Sequence, residues 1–186
     1  MSENRSLLRM TTSGLAWQST GSAPMALDDE AARDALRAEL GRRDHQVIFA
    51  VPGGDLRLTE LKVAPEERRH LDASLPFMLE ESLAEDVETL HFAWTQPDKT
   101  RCAVAIVALR WMASWAEGLG EFAATVPWVP EPLLLPWEPG EWTLVFENAT
   151  VLVRSAEYVG TRIEVALLPA LLEALADEGA LERIVI

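Results

Sequence analysis

The order of strand and helix signals occurs twice in this chain, and that repetition limits the fold more than any other feature of its sequence. In the N-terminal part, short apolar segments flank a Gly-containing turn, and hydrophobic residues at helical spacing follow them. Asp28 is a favourable helix N-cap, and Gly41 is a favourable stop. The pattern predicts strands at 7–10, 15–18 and 23–27, a helix at 29–40 and a strand at 47–51.

The C-terminal part repeats this order of elements. A turn at Asn148 and Ala149 separates two apolar segments, and alternating apolar residues then predict a third strand. A helix follows, with Pro169 at its start and Gly179 at its end. The predicted strands cover 142–147 and 150–155, a third strand that carries Ile163, Val165 and Leu167, and a closing strand at 183–186.

A strand-strand-strand-helix-strand order that occurs twice is the arrangement of the actin-like ATPases. The element order therefore predicts an α/β fold with mixed sheets, built from duplicated ribonuclease H-like βββαβ units of the actin-like ATPase fold with an inserted α/β subdomain. Because this is a fold-level analogy, function has to be argued from particular sites. The predicted ranges are 1–54 for the first ribonuclease H-like subdomain, 55–125 for the insertion, 126–140 for a proline-rich linker and 141–186 for the second subdomain.

Helical spacing in the insertion places Trp111, Trp115 and Leu119 on one face of a helix. Tryptophan at this spacing usually indicates packing in a core, so we expect these side chains to be buried. The insertion as a whole is predicted to contain strands at 56–63, 91–95 and 103–109, a helical stretch at 65–83 and a helix that ends near Gly118.

The two hairpin turns lack residues that an actin-like ATPase needs for its nucleotide. Such an enzyme uses an Asp and a Gly in the first hairpin turn of each copy, because backbone N–H groups approach the phosphates while a carboxylate orders magnesium. The first turn, 11–14, has no Asp, and the second, 147–150, has no Gly. No GxxxxGK[ST] sequence occurs, which excludes a P-loop. We expect no cofactor and no enzymatic activity.

Two Glu-x-x-His steps have the spacing that binds metal in di-iron bundles. They run from Glu67 to His70 and from Glu88 to His91. Such bundles need four long helices, which the predicted elements do not supply. We expect no metal site.

Nucleophilic catalysis has little support. Ser74, His70 and Asp72 are the residue types of a hydrolase triad, but no GxSxG turn accompanies them. Cys102, the only cysteine, lies in an apolar segment, where a buried thiol is expected rather than a nucleophile. A single cysteine also excludes an intramolecular disulfide.

The charge balance bears on the partner. Asp and Glu number 30 against 16 Lys and Arg, a formal charge of −14. This charge repels phosphate backbones, so nucleic acid is not expected as a partner, and a basic or neutral protein fits better. No apolar run approaches the roughly 20 residues of a membrane helix, and the N-terminus lacks the order of a secretory signal.

The most informative segment lies at 65–92. Leucines at helical spacing predict a helix in which Pro76 imposes a kink. After it comes what we call the acidic segment, residues 80–88, which contains no basic residue. We predict that its acids bind a basic partner, and a solvated surface that only keeps the protein soluble is the alternative. The predicted partner-binding residues are Glu80, Glu81, Glu85, Asp86 and Glu88.

This segment resembles the type II secretion system protein L family, also called general secretion pathway protein L. The matching residues are Leu75-Pro76-Phe77, Leu79-Glu80-Glu81, Asp86-Val87-Glu88 and His91-Phe92, preceded by Leu58-Thr59-Glu60-Leu61. The resemblance implies a cytoplasmic domain of actin-like fold without ATPase activity, on the cytoplasmic side of the bacterial inner membrane. In the family a transmembrane helix and a periplasmic domain follow, whereas this chain ends at Ile186, earlier than the resemblance leads us to expect.

The resemblance also implies partners. They are the N-terminal domain of the secretion ATPase, the E component, and the M component of the same system. We therefore expect a non-catalytic adaptor that recruits the secretion ATPase to the inner-membrane platform. One alternative is an actin-like ATPase or kinase with an atypical phosphate site. Another is a self-associating scaffold or homodimer, for which Trp111, Trp115 and Trp128 would be exposed.

Overall fold

The computed structural model describes residues 4–19, 21–28, 30–64, 67–176 and 182–186. In chain order its strands and helices are β1 Asn4–Thr11, β2 Gly14–Ser19, β3 Met25–Ala26, α1 Glu30–Leu40, β4 His45–Val51, β5 Leu56–Lys62, α2 Leu71–Leu79, β6 Leu90–Thr95, β7 Arg101–Ala108, α3 Leu109–Leu119, β8 Trp128–Pro130, β9 Glu141–Glu147, β10 Thr150–Ala156, β11 Val159–Glu164, α4 Leu168–Ala176 and β12 Arg183–Val185. The chain divides into two compact units, Met1–Pro52 with Met112–Glu131 and Gly53–Trp111 with Pro132–Ile186.

The first compact unit contains a mixed sheet of strand order β3-β2-β1-β4-β8. β1 and β2 form an antiparallel hairpin, while β4 runs parallel to β1. Gly14 closes the hairpin turn with φ of 116°, a conformation that a side chain with Cβ rarely adopts. The predicted strands at 7–10, 15–18 and 47–51 are confirmed, and the predicted third strand is shortened to Met25–Ala26.

Three aromatic rings form the centre of this unit. The ring centroid of Phe49 lies 5.0 Å from that of Trp128 and 6.1 Å from that of Trp115. Trp128 Nε1 donates to the carbonyl of Ala123 at 3.1 Å, which satisfies the polar end of a partly buried indole. The predicted burial of Trp115 and Leu119 is therefore confirmed.

The second compact unit contains two sheets. Strands β5, β7 and β6 form an antiparallel sheet with β7 in the middle. Helix α2 packs against it with Leu71, Leu75 and Leu79, which are buried against Cys102 and Val104. The thiol of Cys102 is fully buried, as predicted, and burial raises its pKa.

The other sheet of this unit has strand order β11-β10-β9-β12. Asn148, with φ of 54°, closes the hairpin between β9 and β10, and Asn is one of the few non-Gly residues that tolerate this conformation. β12 pairs parallel with β9, and α4 covers the sheet through Leu168, Leu171 and Leu172. Both mixed sheets thus share one topology, in which three antiparallel strands and a helix precede a strand parallel to the first.

The predicted subdomain ranges differ from the compact units. Residues 126–140 were predicted to be a linker, but Trp128–Pro130 pairs parallel with β4 and Pro132 is fully buried. Residues 112–125, predicted as part of the insertion at 55–125, belong to the first compact unit. Prolines interrupt the apolar pattern here, and short parallel pairing is compatible with proline at an edge strand.

Two predicted elements and the predicted burial of one residue are corrected. The helical stretch predicted at 65–83 contains an α-helix only at Leu71–Leu79, flanked by 3₁₀ turns. The third strand of the C-terminal repeat ends at Glu164, so Val165 and Leu167 belong to a 3₁₀ turn before α4. Trp111, predicted to be buried, is 41% exposed. The predicted helix boundaries at residues 29, 65 and 179 lie outside the described residues.

Candidate partner-binding surface

The acidic segment joins α2 to β6 and is not a helix. Glu80–Ser82 and Val87–Thr89 are 3₁₀ turns, and Leu83 between them is extended. The helical stretch predicted at 65–83 would have included Glu80 and Glu81, and this part of the prediction is wrong. α2 continues through Pro76 and ends at Leu79, so the acids lie beyond it. All five predicted partner-binding residues are exposed, but the structure gives them different roles.

Asp86 shapes the backbone of the segment. Its carboxylate accepts a hydrogen bond from the backbone N–H of Glu88 at 3.0 Å, which caps the second 3₁₀ turn. Its carbonyl accepts from the Thr89 hydroxyl at 2.7 Å. Part of the side chain of Asp86 is therefore used inside the segment.

Glu85 forms an ion pair with Arg110 at the start of α3. Arg110 Nη2 donates to Glu85 Oε1 at 3.1 Å, and Nη1 donates to Oε2. The hydrogen bonds from Arg110 lower the pKa of Glu85, and Glu85 in turn raises the pKa of Arg110. This bidentate pair connects the middle of the acidic segment to α3.

Glu80, Glu81 and Glu88 differ from Glu85, because their carboxylates form no ion pair within the described ranges of the chain. Their negative charges are therefore directed at solvent. Phe77 and Met78, in the last turn of α2, shortly precede Glu80 and Glu81 in the chain and are 71% and 39% exposed. Aromatic residues are enriched in protein interfaces, so the exposed ring of Phe77 is a candidate contact residue.

A pocket of about 270 Å³ opens beside the acidic segment. Its lining comes from residues 54–57, 83–85, Leu90 and 106–108, together with Trp111. Arg57 lies at the pocket and donates from Nη1 to the Ser82 carbonyl at 2.5 Å, so it holds the first 3₁₀ turn in place. The Arg110 guanidinium lies 5.7 Å from the centroid of Trp111, within the range of a cation–π contact.

Asp55 is the other carboxylate of this pocket. It has no hydrogen-bond or ionic partner within the parts of the chain that the structure describes. The surrounding protein partly shields its carboxyl from water and raises its pKa, because desolvation disfavours the charged form. The carboxylate of Asp55 could therefore form an ion pair with a cationic group of a binding partner.

The two hairpin turns have local hydrogen bonds of their own. In the first, the Ser13 N–H donates to Thr11 Oγ1 at 3.3 Å. In the second, Arg162 Nη1 donates to Glu147 Oε2 at 2.9 Å and to Thr150 Oγ1 at 3.0 Å. The carboxylate nearest to the second turn is thus paired with a guanidinium. That neither turn holds a nucleotide stays a prediction.

The other catalytic and metal candidates have different surroundings. Asp72 accepts from Trp94 Nε1 at 2.6 Å, which ties α2 to β6. His70 and His91 are exposed. Ser74 Oγ is buried and forms no hydrogen bond to the described residues. No group of three or more His, Cys, Asp or Glu able to hold a metal occurs in the described part of the chain.

Sequence reasoning missed the residues around the acids. Phe77 was assigned no role beyond the family resemblance and Trp111 was predicted to lie in a core, while Arg110 and Asp55 were not singled out. The run of acids without any basic residue concealed the pairing of Glu85, because its partner lies 25 residues away. The predicted helix α3 was the one sequence signal for this region, because Arg110 and Trp111 lie at its start.

Comparison with known proteins identifies the family. The family described as type II secretion system (T2SS), protein L matches residues 14–184. This chain belongs to the type II secretion system protein L family. The resemblance noted at the acidic segment is thereby confirmed over most of the chain.

Individual members of the protein L family are similar over part of their length. The Type II secretion system protein L of Klebsiella pneumoniae is 33% identical over 136 residues, which cover 72% of this chain and 34% of that protein. The protein of the same name from Dickeya chrysanthemi is 32% identical over 137 residues, 70% of this chain and 33% of that protein. The match thus spans about one third of these relatives.

A solved structure shares the fold. The cytoplasmic domain of EpsL, an inner-membrane component of the type II secretion system of Vibrio cholerae, has a TM-score of 0.71 and 21% identity to this chain. The alignment covers 97% of this chain and 80% of that domain. This mixed α and β architecture is therefore an established one. Among the described residues, no helix is long and apolar enough to cross a membrane.

Proposed function

We propose that this chain is a non-catalytic adaptor on the cytoplasmic side of the inner membrane, and that it recruits the secretion ATPase, the E component, by binding its N-terminal domain. The observation that carries the proposal is the exposure of Phe77, Glu80, Glu81 and Glu88 in a member of the protein L family. The M component of the same system is the second proposed partner. A homodimer is a further proposal.

The surface suits a basic protein partner for two physical reasons. Uncompensated carboxylates attract cationic surfaces and raise association rates. A large exposed aromatic side chain supplies apolar area that gains free energy only when a partner covers it. The carboxylates would orient an approaching partner, and the aromatic side chain would add affinity once the partner covers it.

We further propose that the two mixed sheets of common topology are the ribonuclease H-like units of an actin-like ATPase fold that no longer hydrolyses ATP. The absence of Asp from residues 11–14 and of Gly from residues 147–150 supports this, since phosphate binding in that fold needs both. Calorimetry with Mg-ATP tests this part. Heat from saturable micromolar binding would contradict it and favour a nucleotide-dependent enzyme.

A self-associating scaffold has less support. Trp115 is 3% exposed and Trp128 is half-buried, so of the three tryptophans whose exposure would favour self-association only Trp111 is exposed. Light scattering over a concentration series tests for a homodimer independently of the ATPase.

Co-purification tests the recruitment. The chain carrying an affinity tag is mixed with the N-terminal domain of the cognate secretion ATPase, and the complex is followed by size-exclusion chromatography. We expect a complex of defined stoichiometry with micromolar or tighter affinity. Separate elution of the two proteins at concentrations well above micromolar would contradict the proposed function.

A further inference from the structure

The pocket beside the acidic segment is a small, open cavity. Its volume of about 270 Å³ is below the range of about 300–1,000 Å³ typical of small-molecule and cofactor sites. It is also open to the surface, so a side chain projecting from another protein can enter it. A small, open pocket is compatible with a side chain presented by another protein.

About half of the pocket wall is apolar, and this half suits an apolar occupant. It includes Leu83, Leu90, Ile106, Val107, Ala108 and Trp111. Trp111 is 41% exposed although it follows buried residues of β7, so one wall of the pocket leaves an indole in water. Covering that wall with an aliphatic side chain would remove apolar surface from water and gain free energy.

The charges at the pocket favour basic residues beside that apolar side chain. The two cations are already engaged, because Arg57 is bonded to the Ser82 carbonyl and Arg110 to Glu85. Asp55 has no cationic partner within the described ranges, and the flanking acidic segment adds the uncompensated Glu81 and Glu88. The free charge around the opening is therefore negative.

We propose that this pocket binds one aliphatic side chain of a partner segment that carries Lys or Arg on both sides of it. The aliphatic side chain packs against Trp111 and Leu83. The flanking cations pair with Asp55 and with the free carboxylates of the acidic segment. This inference rests on the proposed function, because it names the kind of segment by which the recruited protein is recognised.

A peptide titration tests the pocket directly. The probes are three synthetic pentapeptides: leucine flanked by two lysines on each side, alanine with the same lysines, and leucine flanked by glutamates. Binding is followed by amide chemical shifts of the isotope-labelled chain. We expect the lysine-flanked leucine peptide to shift amides at 83–85 and 106–111, and each of the other two to bind about tenfold more weakly.

Two variants separate the pocket from the general surface. Trp111→Ala removes one wall, and we expect it to weaken the lysine-leucine peptide about tenfold. Leu109→Ala is the matched control, because Leu109 is 45% exposed on the same helix but does not line the pocket. We expect it to bind like the unmodified chain. Equal binding of the alanine peptide, or shifts confined to residues away from the pocket, would overturn the inference.

The same variants distinguish this inference from recruitment itself. If the unmodified chain binds the ATPase domain and Trp111→Ala binds it equally well, the pocket inference is overturned while recruitment stands. If the unmodified chain does not bind the ATPase domain, the proposed function is contradicted, and the peptide titration alone decides whether the pocket takes a basic, aliphatic segment. If Trp111→Ala weakens the domain about tenfold and Leu109→Ala does not, both are supported.

Discussion

Arg110 donates hydrogen bonds to both carboxylate oxygens of Glu85, with 3.1 Å between Nη2 and Oε1. The pair connects the first turn of α3 to the middle of the acidic segment. The acidic segment itself contains no basic residue. Glu85 is thus compensated within the chain, while Glu80, Glu81 and Glu88 are exposed without an ion pair in the described residues. Variants that test recognition of a basic partner should therefore change Glu80, Glu81 and Glu88.

Charge reversal of the free acids should slow association with the ATPase domain. We expect the triple variant Glu80→Lys, Glu81→Lys, Glu88→Lys to lower the association rate constant about tenfold at low salt, since a like-charged surface repels a basic partner. Surface plasmon resonance at two salt concentrations measures this. The difference from the unmodified chain should shrink at high salt because exposed charges are screened.

A second triple variant controls for net charge. Glu138→Lys, Glu164→Lys and Glu173→Lys change the same number of exposed carboxylates outside the acidic segment. We expect this variant to keep an association rate close to that of the unmodified chain. Equal slowing by both triples would mean that only the overall charge matters and that the acidic segment is not the docking surface.

Phe77 should contribute to affinity rather than to folding. Its side chain is 71% exposed, so Phe77→Ala should change the free energy of unfolding by less than about 0.5 kcal/mol. Loss of an aromatic anchor at an interface costs about 2 kcal/mol, which is a 30-fold weaker complex. Calorimetric titration with the ATPase domain gives the affinity, and urea unfolding gives the stability.

Leu167→Ala is the control for Phe77, because Leu167 is 55% exposed in the turn before α4, outside the acidic segment. We expect its complex to be as tight as that of the unmodified chain. If Phe77→Ala also leaves the affinity unchanged, the aromatic residue is not part of the interface.

Gly160 in β11 should not tolerate a side chain. A Cβ at this position would lie 2.5 Å from Pro132 Cβ and 2.5 Å from the Val153 carbonyl oxygen. We expect Gly160→Ala to lower the free energy of unfolding by about 1–3 kcal/mol through overpacking. Gly118→Ala, in α3 with nothing within 4 Å, should instead stabilise by up to about 1 kcal/mol. Urea denaturation of both variants checks the contrast, and equal stability would contradict it.

Protonation of Asp98 at acidic pH should lower the free energy of unfolding. Hydrogen bonds from Arg101 and from Thr100 lower the pKa of its carboxyl. A lowered pKa in the folded state stabilises the fold above the ordinary pKa of about 4, and this contribution is lost as the pH falls below it. Asp98→Asn lacks the contribution, so its deficit should be present at neutral pH and should shrink in acid.

Urea midpoints between neutral pH and about pH 2 measure this linkage. Glu117→Gln is the control, because Glu117 is exposed and forms no hydrogen bond or ion pair in the described part of the chain. Its midpoints should follow those of the unmodified chain. A deficit of Asp98→Asn that stays constant with pH would contradict the assignment.

Much of the fold could be predicted because local signals agree with it. Gly14 and Asn148 stand where the two hairpins require positive φ, and Ala32 and Leu36 stand at helical spacing on the buried face of α1. These signals depend only on neighbours along the chain. Strand β8 could not be predicted in this way, because Trp128 pairs with Phe49, a residue far away in sequence.

The candidate site was predictable only in part. The acids are visible in the sequence, but Glu85 and Arg110 are 25 residues apart, so their pairing depends on tertiary structure. The pocket combines segments from β5, the acidic segment, β6 and β7, and no local pattern brings these together. Exposure of Trp111 also depends on tertiary packing, since its spacing with Trp115 favours a buried face.

Hydrogen exchange of the chain with and without the N-terminal domain of the secretion ATPase tests the central claim most directly. Adaptor binding through the acidic segment predicts slower amide exchange at 77–88 and 106–111, and unchanged exchange in β1, β2 and β4. Protection confined to other elements, or exchange that the ATPase domain does not alter anywhere, would contradict the account.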